Sequence, residues 1–371
     1  MRVALDVTPL IGVRTGVGAA LADIIGALAT LDDAPIVVPY ALSLRARRHR
    51  GELPPDTRFI PVPAAVLLRT WTRADVPRID RSLRPAQVLH ATNYLAPPSR
   101  LPTLVTVYDC SFVRYPELCT PQVRAFEPAL RRAVQRGATI HTASAFIASE
   151  IDELFGTGLR AAGRVIVVPL GVPRLTGTAT LTDQLRARIA GSPYVLAIGT
   201  LEPRKNLPRL VAAFGRVAAE HADAKLVIAG KDASDRGAID AAIAALAPAS
   251  RERIVMAGAV DDATRRGLLA GADVVAYPSV YEGFGFPVLE AMASSVPVVT
   301  TRAGAIPEVA GDAALLVDPT DVDGLATAII DALSDEHLRA DLVQRGLARV
   351  QRYSWTATAA ALADIYRQLA R

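Results

Sequence analysis

Short apolar runs recur along the whole chain, and many of them are followed by a stretch suited to a helix. VALDV (3–7), IVVP (36–39), QVLHATNY (87–94), LPTLVTVYD (101–109), ATIHTAS (138–144) and VIVVPLG (165–171) form a first series. YVLAIG (194–199), KLVIAGK (225–231), RIVMAG (253–258), DVVAYPS (273–279), SVPVVTT (295–301) and AALLVDP (313–319) form a second. Strands that are apolar throughout, rather than at alternate positions, are covered on both faces. Strands separated by helices pair in parallel, because a parallel connection needs a long crossover. The expected fold class is therefore α/β, with doubly wound, Rossmann-like sheets. The texture breaks at VPRLTGTATLTDQLRARIAGSP (172–193), which reads as a linker and short helix. That break divides the chain into 1–172, 173–352 and a final helical segment, 353–371. At 371 residues the chain is long enough for two domains of ordinary size.

Within the first series, helices are expected at 121–136, after Ser144 as N-cap, and at 356–370 at the chain's end. Residues 40–85, rich in Arg and Pro, read as a long irregular loop. No apolar run approaches 18 residues, and the start, MRVALDVTPL, reads as a strand instead of a cleavable leader, so a cytoplasmic location is expected. Cys110 and Cys119 are expected as reduced, buried thiols. Through residue 175 there are 21 Arg and no Lys against 14 acidic residues, and beyond it 20 basic against 23 acidic. The densest run is Arg45, Arg47, Arg48, His49 and Arg50, either a solvated loop or a contact for an anionic membrane surface. Nucleic acid is disfavoured, since no aromatic residues interleave with these arginines.

The most informative stretch is YPSVYEGFGFPVLEAM (277–292). Pro287 marks a helix start, because its missing N–H would be unpaired there in any case. Glu282 then lies on a glycine-permissive loop with Gly283 and Gly285, and Glu290 about one turn into the helix. Backbone N–H groups around Phe286 to Leu289 are expected to point into the loop as an anion site. Acids on both sides of such a site suit a ligand carrying phosphate and hydroxyls, as a nucleotide sugar does. Arg204 and Lys205 open another helix, where the dipole disfavours cations. Either a diphosphate offsets them or salt bridges to Glu202 do. Gly16 and Gly18 stand at the mouth of the first helix, as a ligand-binding turn or a plain helix start. Tyr108 and Asp109 close a buried strand where catalytic side chains collect. Asp321-Val322-Asp323 has a metal-binding form, but its place before GLATAIIDAL is explained by helix capping.

GTLEPRKNLPRLVAAF, and VMAGAVDDATRRGLLAGADVVAYPSVYEGFGFPVLEAMASSVPVVTTRAGAIPEVAGDAALLVDP after it, resemble the retaining glycosyltransferases of family 4. TGVG, HATNYLAPP and VTVYDCSFVRYPEL carry the likeness into the first half. The resemblance implies the GT-B fold, two Rossmann-like domains facing across a cleft, the first for the acceptor and the second for a nucleotide sugar. It implies that Glu282 contacts donor sugar hydroxyls and Glu290 the ribose. Arg204 and Lys205 would stabilise the leaving nucleoside diphosphate, held also by backbone N–H groups near Phe286 and Val288, Pro287 between them excepted. Gly16 and Gly18 resemble the family's N-terminal glycine loop and, with Gly199, Gly230 and Gly285, would bind the donor, while Val260 lies where the base is bracketed. No cofactor or metal is implied, and the donor would be GDP-mannose or UDP-glucose. Partners would be the nucleotide sugar and a glycan or lipid-linked acceptor. Two positions depart from the pattern: Thr200 where members often have Arg, and Tyr108 where many read His before the Asp.

The function implied is retaining transfer of a hexose, mannose slightly ahead of glucose, to a glycan, glycolipid or small-molecule hydroxyl. Tyr108 keeps a second reading open, a non-catalytic nucleotide-sugar-binding partner of an active transferase. A GT-B sugar-nucleotide epimerase would want carboxylate and histidine groups together, and the chain has only five histidines.

Overall fold

A computed structural model of the chain describes residues 1–12, 16–42, 45–174 and 177–371, with the side chains of Arg45 and Ala64 left aside. Thr15 of TGVG, and the side chain of Arg45 in the basic run, lie outside the described residues. The chain forms two compact units, Met1–Gly171 together with Tyr353–Arg371, and Val172–Arg352.

The first unit is built on a seven-stranded parallel sheet in the order β3-β2-β1-β4-β5-β6-β7. Its strands are β1 (Arg2–Asp6), β2 (Ile36–Ala41), β3 (Arg58–Phe59), β4 (Val88–Ala91), β5 (Thr103–Thr106), β6 (Thr139–Thr142) and β7 (Val165–Val167). The strand order reverses between β1 and β4, which puts Asp6 at the switch point of the sheet. The 40–85 stretch corrects the expectation of an irregular loop. It contributes the edge strand β3 and the helix Ala64–Trp71, whose Leu67 and Trp71 are fully buried. Pro63 immediately before that helix hides it from a periodicity reading. β5 also ends earlier than expected, at Thr106, and the 121–136 helix breaks at Ala125 into Pro121–Arg124 and Phe126–Gln135. Neither cysteine is in a disulfide; Cys110 is buried, whereas Cys119 is only half-buried. Ser144 caps the helix Ala145–Phe155 by accepting from the Ile147 N–H.

The second unit carries a six-stranded parallel sheet in the order β10-β9-β8-β11-β12-β13. These are β8 (Tyr194–Ile198), β9 (Lys225–Ala229), β10 (Ile254–Gly258), β11 (Val274–Tyr277), β12 (Val298–Thr301) and β13 (Leu315–Val317). The helices Leu207–Glu220 and Val322–Ser334 press Leu210, Phe214, Val217, Leu325 and Ile329 onto Val195, Leu226 and Val299 of the sheet. Asp321 caps the second of them, accepting from the Gly324 N–H at 2.8 Å.

The returning helix Trp355–Leu369 seats on the first unit at three points. Trp355 packs so closely on Gly171 that a Cβ there would lie 2.5 Å from the indole, so no other residue fits. Thr358 Oγ1 donates to the Pro169 carbonyl at 2.7 Å. Tyr366 reaches His90 Nδ1 at 2.7 Å, and His90 Nε2 lies 2.8 Å from Thr106 Oγ1. Thr106 Oγ1 in turn lies 3.0 Å from His141 Nδ1, and His141 Nε2 is 3.1 Å from the Val168 carbonyl. Because a carbonyl only accepts, it fixes the direction of the whole chain when both rings are neutral. His141 donates from Nε2, Thr106 donates to its bare Nδ1, His90 donates to Thr106, and Tyr366 donates to His90.

Burial lowers both imidazoles, His90 well below its ordinary value and His141 to about 4. The unfolded chain therefore takes up protons near pH 6.5 that the folded unit refuses, so this contribution to stability is present above that pH. It is lost progressively as pH falls toward 4. Asp6, raised by burial to about 6, works in the opposite sense between pH 3.8 and 6. Urea unfolding should show a lower midpoint at pH 5 than at pH 7. His141→Gln, which keeps an acceptor and a donor but does not titrate, should flatten that dependence; an unchanged slope contradicts the assignment.

Candidate active site

The loops at the carboxyl ends of β8 and β11 bring together residues 72 to 78 positions apart in sequence. Lys205 Nζ donates to Glu282 Oε1 at 2.6 Å and to the Tyr277 hydroxyl at 2.6 Å, and that hydroxyl donates to Glu282 Oε1 at 2.7 Å. Arg204 Nη1 donates to Glu282 Oε2 at 3.0 Å, while its Nη2 lies 2.8 Å from Glu202. Glu282 is 6% exposed and Lys205 8%. Burial pushes the Glu282 carboxyl up, but the Lys205 and Arg204 charges overcome it and hold it at about 2. Burial draws the Lys205 ammonium below its ordinary value, with the Glu282 charge opposing. The anion that offsets the two cations is thus a carboxylate of the protein itself, in addition to the Glu202 contact.

Backbone geometry holds this cluster in place. The Val280 N–H donates to the Arg204 carbonyl at 2.8 Å, and the Ala305 N–H donates to the Glu282 carbonyl at 2.8 Å. Asn206 adopts the left-handed conformation with φ 58°, which asparagine tolerates better than most residues. Its amide donates to the carbonyls of Pro278 at 3.0 Å and Pro319 at 2.9 Å, tying the loops after β8, β11 and β13 together. Gly230 is required by packing, since a Cβ there would lie 1.7 Å from the Gly199 carbonyl oxygen. Gly285, with φ +101°, precedes the helix Phe286–Ala293, and a Cβ on it would meet Ile306 at 2.6 Å.

Glu290, 3% exposed, lies on that helix and is paired with Arg265 of the helix Asp262–Gly271. Burial raises its carboxyl, with Arg265 opposing. A cavity of about 340 Å³ adjoins it, lined by Arg266, Glu290, Ser294 and small apolar residues. Val260 is half-buried in the loop before the Arg265 helix. Phe286 begins the Glu290 helix and Pro287 occupies its first turn. One expectation is corrected here: the Val288 N–H is already engaged by the Gly285 carbonyl at 3.1 Å, because the first turn closes tightly.

The remaining sequence candidates belong to the first unit. Gly16 and Gly18 start the helix Gly16–Leu28, Gly16 exposed and Gly18 buried. Tyr108 is half-buried against Tyr94, and burial followed by the nearby Asp6 charge raises its hydroxyl. Asp109 accepts from the Ser111 N–H at 2.9 Å and its hydroxyl at 2.7 Å, a local turn that starts a short helix. Sequence reasoning missed Tyr277, Asn206 and Arg265. Tyr277 read as strand and Arg265 drew no separate reading, whereas an asparagine directly after a basic pair at a helix start was a usable signal. Among the described residues no group of three or more His, Cys, Asp or Glu is placed to hold a metal.

The family model for group 1 glycosyl transferases matches residues 192–335. The O-antigen chain mannosyltransferase B of Escherichia coli is 34% identical over 277 residues, 72% of this chain and 71% of that protein. The chain belongs to the group 1 glycosyltransferases. A second relative of this glycosyltransferase is the phosphatidyl-myo-inositol mannosyltransferase of Mycolicibacterium smegmatis, 36% identical over 168 residues, covering 44% of this chain and 42% of that one. The Anabaena protein HepE, solved with UDP-glucose, matches the fold with a TM-score of 0.73 at 18% identity, over 99% of this chain and all of that one. The glycosyltransferase has the GT-B fold of such structures.

Removing Arg265 would strand a buried carboxylate. Arg265→Met should lower the unfolding free energy by on the order of 3 kcal/mol in urea titration. Adding Glu290→Gln should restore most of it. A loss no greater than about 1 kcal/mol, the value of an exposed pair, contradicts the burial of this charge.

Proposed function

We propose that the enzyme transfers a hexose, mannose ahead of glucose, from a nucleoside diphosphate sugar to a hydroxyl of a glycan or lipid-linked acceptor, retaining the anomeric configuration. The observation that carries this reading is the convergence of Arg204, Lys205 and Glu282 on one buried point at the carboxyl edge of a doubly wound sheet. Two cations beside one carboxylate form a site that takes an anion and hydroxyls together. The names of the two curated relatives above favour mannose, and the HepE complex shows that a related fold takes UDP-glucose.

In this reading Arg204 and Lys205 accept the charge that develops on the departing diphosphate, a preorganised role worth more in a buried site than in water. Backbone at Gly199, Gly230, Gly285 and Phe286 lines the phosphates, Glu282 holds donor sugar hydroxyls, Glu290 the ribose, and Val260 flanks the base. The bond from the anomeric carbon to the phosphate oxygen breaks with its electron pair on the diphosphate. The acceptor oxygen bonds to that carbon from the same face, and its proton passes to a phosphate oxygen. With these cations in place the reaction runs without a metal or cofactor. The first unit takes the acceptor; in this reading Tyr108 and Asp109 are catalytic, and Gly16 and Gly18 bind the donor. Exposed Arg47, Arg48 and Arg50 give that unit a basic face for an anionic membrane on the cytoplasmic side. Among the described residues no helix is long and apolar enough to cross a membrane.

Turnover of a donor panel, GDP-mannose and UDP-glucose among them, against glycan and lipid-linked acceptors tests the proposal. One donor should be consumed with retention, and Arg204→Ala should cost about 100-fold or more in turnover, as loss of one oxyanion donor does. Tight donor binding without transfer or hydrolysis would instead favour a non-catalytic binding role. Wild-type turnover in the Arg204 variant would remove the leaving-group assignment.

A further inference from the structure

Tyr277 is the last residue of β11, held between β8 and β12, and is 3% exposed. Its hydroxyl is bonded to both members of the buried ion pair, accepting from Lys205 and donating to Glu282. Three side-chain atoms, Lys205 Nζ, Glu282 Oε1 and the Tyr277 oxygen, form a closed triangle with edges of 2.6, 2.6 and 2.7 Å. If the donor draws Lys205 toward phosphate and Glu282 toward sugar hydroxyls, the direct contact between them opens. Opening a buried pair strips each charge of its strongest partner, and unpaired buried charge is steeply unfavourable.

We infer that Tyr277 is a positioning residue that lets this ion pair open while both charges keep a fixed partner. A phenol accepts and donates at once. As Lys205 turns toward phosphate it keeps the Tyr277 oxygen as acceptor, and as Glu282 turns toward a hydroxyl it keeps the Tyr277 proton. Burial and the Glu282 charge raise the phenol well above its ordinary value, so it stays protonated and able to donate. The Tyr277 ring centroid lies 5.0 Å from Lys205 Nζ, so the ammonium sits at the hydroxyl edge of the ring. The inference rests on the proposed donor roles of Arg204, Lys205 and Glu282.

Tyr277→Phe in the full chain keeps the ring and deletes the hydroxyl. Donor KM, and nucleoside diphosphate Kd by calorimetry, should rise about tenfold or more, the size of one hydrogen bond to a charged group. Acceptor KM should stay unchanged. The acid limb of kcat/KM should move to higher pH, because Glu282 loses a donor that favours its charged form. Combined with Glu282→Gln, the Phe substitution should add less than about twofold, since coupled residues are not additive. Wild-type donor affinity and acid limb in Tyr277→Phe, or effects that multiply with Glu282→Gln, overturn the inference. If Arg204→Ala and Glu282→Gln lose donor affinity while Tyr277→Phe keeps it, the positioning role alone falls. If all three keep it, the donor site itself has been misassigned and the inference falls with it.

Discussion

Glu282 is a carboxylate with almost no access to water, and it remains charged because two cations stand on it. A buried charge survives only with partners of opposite sign and with its lone pairs filled. Oε1 receives Lys205 and Tyr277, and Oε2 receives Arg204. The reverse dependence holds as well, since Lys205 is drawn down by burial and kept charged by Glu282. Each charge justifies the other. The loops that carry them are therefore bound to one arrangement, in which a basic pair at one helix start faces an acid on a neighbouring loop.

The fold supplies that arrangement through the carboxyl ends of parallel strands. β8 and β11 are adjacent in the sheet, although Lys205 and Glu282 in the loops that follow them are 77 residues apart. The crossover topology alone brings Arg204 and Glu282 within reach. Finer placement comes from small devices. Asn206 staples three loops through one side-chain amide, and Gly304 lets the next loop approach, since a Cβ there would lie 2.3 Å from the Glu282 carbonyl oxygen. In the first unit an equally specific device, the His90–Thr106–His141 chain, joins the returning helix to the centre of the sheet. Both units thus place buried polar networks at points where a sheet meets the chain's connections, and both networks are polarised by what ends them.

Most of the architecture was legible because it rests on strong local signals. Continuous apolar runs marked the parallel strands, and Ser144 and Asp321 cap helices where their spacing placed them. The 40–85 stretch was illegible because proline and arginine break the periodicity, although Leu67 and Trp71 there are core residues. At the site, residue types foretold an acid beside two glycines and a basic pair. They did not foretell that the acid and the basic pair would neutralise one another, because that contact spans 77 residues. Tyr277 was hidden for a related reason: at a strand end a tyrosine reads as β-propensity, and its hydroxyl gains a role only once Lys205 is beside it.

The central claim is that one carboxylate and two cations, now partnered with each other, divide a nucleoside diphosphate sugar between them. A crystal structure of the enzyme with its nucleoside diphosphate sugar tests this most directly. The account predicts Arg204 and Lys205 within hydrogen-bond distance of phosphate oxygens and the Glu282 carboxylate on a hydroxyl of the sugar. A donor bound elsewhere, with the Lys205–Glu282 contact intact beside it, would contradict it.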